Sequence, residues 1–153
     1  MKAEYVNSFY KATKDVFNLM MDLDPQIGEL KALESMKSDK ETNILLGVIG
    51  DLKGEILFSF PLDMTLEMIK IMSGMEMDKI DSFASSALGE IANIIGGNAT
   101  TNLTEHNYTC DILPPKVFIG KYKGSSTNNK VLQIPLMTSI GEFDINVFLT
   151  ENK

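Results

Sequence analysis

Hydrophobic residues recur at helical spacing in three segments of the chain. In the first segment Val6, Phe9, Val16 and Phe17 fall on one face, which is typical of an amphipathic helix. The second segment follows Pro61 and carries Asp63 as a candidate N-cap. The three predicted helices cover residues 2–22, 63–74 and 78–103.

Shorter runs rich in β-branched and aromatic residues predict strands between and after these helices. The predicted strands lie within residues 27–36, 43–60 (two strands around a tight turn), 108–113, 116–122, 131–140 and 142–150. The polar segment 123–129 predicts an exposed hairpin loop, and Gly141 marks another turn. The order of a long helix followed by antiparallel strands occurs twice, as a helix-strand pseudo-repeat. It predicts an α+β fold with long helices packed on a largely antiparallel sheet, and residues 1–153 are expected to form a single domain.

The composition narrows the function classes. A hydrophobic content of 44% in 153 residues is enough for a packed core. The net charge of -7 argues against nucleic acid or an anionic membrane as a partner. All 14 basic residues are lysine, so this chain offers no arginine to clamp a phosphate. The N-terminal segment has the pattern of neither a signal peptide nor a membrane span, and the single cysteine, Cys110, fits a cytoplasmic location.

The longest predicted helix has two contrasting faces. Wound at about 100° per residue, its polar positions Ser86, Glu90, Asn93 and Gly97 cluster within about 60°. The apolar positions fall in an arc of about 140° on the other side, which predicts the buried face: Phe83, Ala84, Ala87, Leu88, Ile91, Ile94 and Ile95. Glu90 and Asn93 should therefore point outward, as on an ordinary solvated helix surface or on a docking face. The pair Gly96-Gly97 costs about 1–2 kcal/mol relative to alanine, which favours a close approach of another backbone.

One motif on this helix resembles a known signature. Ser86-x3-Glu90-x2-Asn93, followed after 21 residues by Pro115, is similar to the motif of the CheC/CheX/FliY phosphatases of bacterial chemotaxis. Gly97-Asn98, which follow Asn93 on the same helix, also match the glycine-asparagine pair that follows the motif in that family. The resemblance covers most of the chain, because the helical start, the central helix and the closing strands follow the family order.

The number of motifs distinguishes the branches of this family. CheC and FliY members usually carry two copies, one in each pseudo-repeat. In this chain the first helix has Asp15-x2-Asn18 and lacks the required glutamate. The chain therefore most resembles the single-motif CheX branch, whose members form homodimers that join their sheets.

The resemblance implies a phosphatase acting on the aspartyl phosphate of a CheY-like receiver domain. Glu90 would contact the receiver's active-site lysine, and Asn93 would hold the attacking water. Ser86, Gly97 and Asn98 would form the surrounding partner-binding surface, and Pro115 would support the loop or strand beside the helix. The resemblance implies no metal or cofactor bound by this chain, because the receiver supplies Mg²⁺.

The residues themselves leave other functions open. The same fold could be a non-catalytic module that only docks on receivers or on a signalling complex. A self-contained hydrolase or metalloenzyme would need a ligand cluster, and Glu105, His106 and Asp111 are the only candidates. The strand-rich C-terminal half could also pair its edges in a dimer, which is compatible with phosphatase activity.

Overall fold

Three helices and eight strands make up the described part of the chain. The computed structural model describes residues 1–152, without the side chains of 125–129. The helices are α1 (Ala3–Met21), α2 (Leu62–Ser73) and α3 (Ser82–Thr104). The strands are β1 (Gln26–Ile27), β2 (Lys31–Ser38), β3 (Thr42–Gly50), β4 (Leu52–Phe60), β5 (Cys110–Ile112), β6 (Lys116–Ile119), β7 (Tyr122–Thr138) and β8 (Gly141–Glu151). All three predicted helices are confirmed, with ends that differ by a few residues.

The strands form a single antiparallel sheet. Its order is β1-β7-β8-β4-β3-β5, with β2 also paired to β7 and β6 also paired to β3. The two long hairpins, β3–β4 and β7–β8, meet in the middle of the sheet through the pairing of β4 with β8. The predicted α+β fold with helices on a largely antiparallel sheet is confirmed.

The predicted hairpin loop at 123–129 is wrong. The backbone there belongs to β7, which pairs with β2 through Ser38↔Tyr122 and Lys37↔Lys123 and contains register shifts further along. Ladder hydrogen bonds join main-chain groups, so a run of serine, threonine and asparagine does not prevent strand pairing. The predicted exposure of 125–129 falls outside the described side chains.

Two smaller predictions also need correction. The expected strand at 27–36 is divided into β1 and β2, with a break at 28–30. The N-cap of α2 is Pro61, whose fixed extended backbone enters the helix without a side-chain cap, while Asp63 lies in the first turn. Gly141 does begin β8 after a turn, with φ of 148°.

The main core lies between the helices and one face of the sheet. Ile56 and Phe58 of β4 point into it, together with the apolar stripes of α1 and α3. Phe17 of α1 and Phe60 of β4 each stack on Phe143 of β8, with centroid distances of 4.8 Å in both pairs. These three rings connect the first helix to the middle of the sheet, at about 0.5–1.5 kcal/mol per pair beyond their burial.

The opposite face of the sheet carries a smaller cluster and buried polar groups. Met36, Leu57 and Val131 form the cluster. Asn43 is fully buried, accepts a 2.6 Å hydrogen bond from Ser59 Oγ, and donates to the carbonyls of residues 40 and 120 at 2.9 and 2.8 Å. Asn146 is also fully buried, but neither atom of its amide has a partner within the described residues.

Candidate functional site

Helix α3 is fixed at its start and along its underside. The Asp81 carboxylate accepts a hydrogen bond from the Ala84 N–H at 2.9 Å, so the helix begins at Ser82, four residues later than predicted. One stripe of the helix is buried against the sheet and α1: Ala84, Leu88, Ile91, Ala92, Ile95, Gly96, Ala99 and Leu103. Asn102 also donates to the Ser8 carbonyl of α1 at 3.1 Å. The outer face of α3 is therefore a ridge on a rigid support.

The polar positions of the motif lie together on this ridge. Ser86, Glu90, Asn93 and Gly97 are all exposed, as their spacing predicted, and Asn98 is exposed beside them. Within the described residues the side chains of Glu90 and Asn93 have no hydrogen-bond or ion-pair partner. Both are available to a second molecule.

The two adjacent glycines of α3 have different surroundings. A Cβ on Gly96 would lie 2.7 Å from Leu46 Cδ2 and 2.8 Å from Ile112 Cδ1, so the absence of a side chain lets α3 approach β3 and β5 closely. A Cβ on Gly97 would meet nothing within 4 Å. The close contact at this pair therefore lies inside the chain, between Gly96 and side chains of β3 and β5 rather than another backbone, while Gly97 leaves the outer face bare.

Pro115 lies beside the turn of α3 that carries Glu90. It is half-buried in the link between β5 and β6, and its Cγ is 3.8 Å from the position of a Cβ on Gly89. This is an ordinary van der Waals separation. Pro115 therefore lies in a loop beside the helix, and its supporting role stays a prediction.

The predicted buried face of α3 is wrong at Phe83, near the N-terminal end of the helix. Phe83 is 48% exposed, whereas Ala87 and Ile94 are half-buried and pack against the core. At this end lies a cavity of about 210 Å³, which we call the helix groove. Glu90 lines the groove together with six apolar residues from all three helices: Met20, Ile69, Met72, Phe83, Ala87 and Ile91.

Sequence reasoning missed this groove. Helical spacing shows which residues share a face of a helix, but it does not show which neighbouring elements cover that face. The methionines of α2 illustrate the problem. Met64 and Met68 are fully buried core residues, whereas Met72, one turn further along the same face, lines the groove. Where α1 and α2 stop relative to α3 decides which apolar residues stay accessible.

The alternative ligand cluster does not assemble. His106 Nδ1 lies 3.3 Å from the Glu4 carboxylate, and the Asp111 carboxylate accepts from the backbone N–H of Ile112. The residues that the structure describes contain no group of three His, Cys, Asp or Glu side chains arranged to hold a metal ion.

Cys110 lacks the surroundings of a reactive nucleophile. It is partly buried at the start of β5, and burial raises the pKa of its thiol. The thiol is therefore protonated at neutral pH, which leaves the exposed amide and carboxylate of α3 as the better candidates for chemistry. In the part of the chain that the structure describes, no helix is both long and apolar enough to cross a membrane.

Comparison with known proteins identifies the family. The model of the chemotaxis phosphatase CheX matches residues 43–137, so the chain belongs to the CheX family and the predicted resemblance is confirmed. A curated relative, the CheY-P phosphatase CheX of Thermotoga maritima, is 24% identical over 149 residues that cover 96% of each chain.

Solved structures show the same fold. A CheC-like superfamily protein from Shewanella sp. PV-4 has a TM-score of 0.89 at 22% identity, covering 98% of this chain and 99% of its own. The CheX chain of a CheX–CheY–BeF₃–Mg²⁺ complex from Borrelia burgdorferi has a TM-score of 0.80 at 24% identity, covering 96% of this chain and 98% of its own. The predicted CheC-like fold is thereby confirmed.

Proposed function

We propose that this chain, working as one domain over residues 1–153 in the cytoplasm, hydrolyses the aspartyl phosphate of a CheY-like receiver domain. The observation that carries the proposal is the exposure of Glu90 and Asn93, without partners among the described residues, on a helix whose other face is buried. Two relatives support it: one is named a CheY-P phosphatase, and another was solved bound to CheY.

Asn93 would position the water. In the reaction, a water oxygen bonds to phosphorus as the bond from phosphorus to the aspartate oxygen breaks, which leaves a free carboxylate and inorganic phosphate. The Asn93 carbonyl oxygen can accept a hydrogen bond from that water, and its NH₂ can donate to a phosphoryl oxygen. An amide does not titrate, so its contribution is orientation of the water rather than removal of its proton.

Glu90 would anchor the receiver. Its exposed carboxylate lies one turn before Asn93 and can pair with the receiver's active-site lysine. Ser86, Gly97 and Asn98 would border this contact, and Pro115 would support the loop beside the helix. Mg²⁺ bound by the receiver would neutralise charge on the phosphoryl group, a task for which this chain has no arginine.

The test is the rate of phosphate loss from each CheY-type receiver encoded in the same genome. Each receiver is phosphorylated with a labelled small-molecule donor, freed of donor, and followed with and without the protein. We expect faster loss for at least one receiver than its own rate in buffer. If no receiver responds, the proposed function is refuted.

A non-catalytic docking module is the alternative, and the helix groove next to Glu90 is the observation that favours it. A docking module would bind a receiver loaded with beryllofluoride and Mg²⁺ but would leave the decay of the phosphorylated form unchanged. Measuring both quantities on the same receiver separates the two functions.

We also propose that two copies form a homodimer by joining their sheets. One sheet edge consists of the short strands β5 and β6, both paired to β3. Phe118 and Ile119 of β6 are 37% and 58% exposed, which suits an edge covered by a second chain. Sedimentation of the wild type and of Ile119→Lys tests this, with a dimer expected only for the wild type.

A further inference from the structure

The helix groove is apolar except for Glu90, at its border with the motif, and Ser73, whose hydroxyl donates to the Ile69 carbonyl at 2.7 Å. Its six apolar residues come from the end of α1, the end of α2 and the first turns of α3. Glu90 is the one charged residue among the described residues that line it. The groove therefore opens on the same side of α3 as the carboxylate that would anchor the receiver.

The exposure of large apolar side chains here is unusual for a surface exposed only to water. Phe83 and Met20, which both line the groove, are 48% and 37% exposed. Clustered exposed apolar surface of this kind marks an interaction site more often than isolated exposed residues do.

The size of the groove limits what can enter it. An apolar cavity of about 150 Å³ accepts a benzene molecule. The helix groove, at about 210 Å³, is large enough for one leucine, methionine or phenylalanine side chain. It is too small for a helix. This size is consistent with a single apolar side chain inserted from a partner's surface.

We propose that the helix groove binds one large apolar side chain of the phosphorylated receiver, from the surface beside the receiver's active-site lysine. This inference rests on the proposed function, in which Glu90 contacts that lysine. Because Glu90 also lines the groove, a receiver held on this carboxylate covers the groove as well. The groove would then determine which receivers are accepted, since the lysine and phosphate are common to receivers and the neighbouring apolar residue is not.

The groove acts in binding and not in the chemical step. Asn93 lies on the next turn of α3 and does not line the groove. Changes in the groove should therefore raise KM for the phosphorylated receiver and leave kcat unchanged. Ala87→Leu fills the groove from a half-buried helical position, and Phe83→Ser removes part of its wall.

The kinetic experiment compares these two variants with Ile49→Ser as the control. Ile49 is 46% exposed, close to the 48% of Phe83, and does not line the groove. We expect KM to rise about tenfold in both groove variants, the equivalent of one lost apolar anchor, with kcat and melting temperature unchanged. The control should behave as the wild type.

A second measurement needs no variant to fold. With ¹³C-methyl methionine, the Met20 and Met72 signals should shift when receiver loaded with beryllofluoride and Mg²⁺ is added, while the signal of buried Met36 should not. Three results together would overturn the groove proposal alone: an active wild type, a wild-type KM in both groove variants, and Met20 and Met72 signals that do not shift. Methyl shifts that depend only on the protein's own concentration would assign the groove to a second copy instead. A wild type that neither binds nor accelerates phosphate loss would overturn the proposed function itself.

Discussion

Asn93 and Asn146 both carry side-chain amides without a partner among the described residues, in opposite surroundings. Asn93 is exposed on the outer face of α3, and Asn146 is fully buried on the face of the sheet opposite the helices. Water hydrates the first amide at no cost to folding, and a partner can replace that water. The second amide gave up its hydration on folding, which costs about 1–3 kcal/mol when no hydrogen bond replaces it.

Asn43 completes the comparison. It is as buried as Asn146, yet its oxygen and its nitrogen both have partners. A buried amide contributes to stability when it is bonded, and a bare amide indicates function only where another molecule can reach it. Each of the following predictions tests one side of this contrast, from the largest expected effect to the smallest.

Asn93→Ala should reduce the acceleration of phosphate loss by about 10²–10³-fold, because the amide would act only in positioning the reacting water. Binding of receiver loaded with beryllofluoride should stay within a few-fold of wild type. Asn7→Ala, which removes an exposed asparagine from α1, serves as the matched control and should keep full activity. Retention of activity by Asn93→Ala would leave docking as the function of the motif.

Asn43→Ala should destabilise the fold by about 2–4 kcal/mol, because it leaves the Ser59 hydroxyl and two carbonyls without their donor or acceptor. Urea unfolding followed by circular dichroism measures the change. Ser59→Ala is the control, with an expected loss of about 1 kcal/mol, since it removes only one hydrogen bond of the three. Equal losses in the two variants would contradict the network.

Glu90→Ala should weaken binding of the loaded receiver about tenfold, as expected for a charged contact at the border of an interface. Titration calorimetry at two salt concentrations measures it. The wild type should lose affinity as salt rises, and the variant should lose less. An unchanged salt dependence would contradict the pairing of Glu90 with a lysine.

Asn146→Leu should raise the free energy of unfolding by about 1 kcal/mol, because leucine is nearly isosteric and removes an unpaired buried amide beside Leu57. The same unfolding assay applies. A loss of stability would mean that the amide has a partner in solution, such as a bound water. Asn146 would then be a hydrogen-bonded buried amide, as Asn43 is.

The neighbouring Asp144 should give a small pH effect. Burial raises the pKa of this carboxyl above its ordinary value of 3.8, against the lowering effect of Lys40 at 3.3 Å, with Glu142 raising and Lys31 lowering it further. Folded protein therefore takes up this proton at a higher pH than the unfolded chain. The contribution of Asp144 to stability is full below the unfolded pKa and is lost as the pH rises through the folded pKa. The difference in unfolding free energy between wild type and Asp144→Asn should follow that direction.

Local patterns predicted the helices and the outward position of the motif residues. The exposed positions of Ser86, Glu90 and Asn93 follow from the helical period alone, because the opposite face of α3 is rich in apolar residues. The α+β fold followed from the order of elements. The motif needed the family resemblance as well, since an exposed glutamate and asparagine are common on any helix.

Long-range features were not predictable in the same way. The polar run at 123–129 pairs as a strand because β2 lies beside it, which no local pattern records. Phe83 fits the apolar face of its helix, but the neighbouring helices do not cover it. Whether the Asn146 amide finds a hydrogen-bond partner depends on the residues around it in the sheet, and the sequence of one strand does not show those residues.

The missing side chain of Gly96 has a consequence for the outer surface of its helix. The height of α3 above the sheet is set from below, by contact of a hydrogen atom with Leu46 and Ile112. A larger residue would have to displace the ends of these two side chains or lift the helix, and any lift of the helix would move the tip of Asn93 with it. If the Asn93 side chain must enter another protein's active site to a fixed depth, then Gly96, which no partner can touch, helps to set how far Asn93 extends.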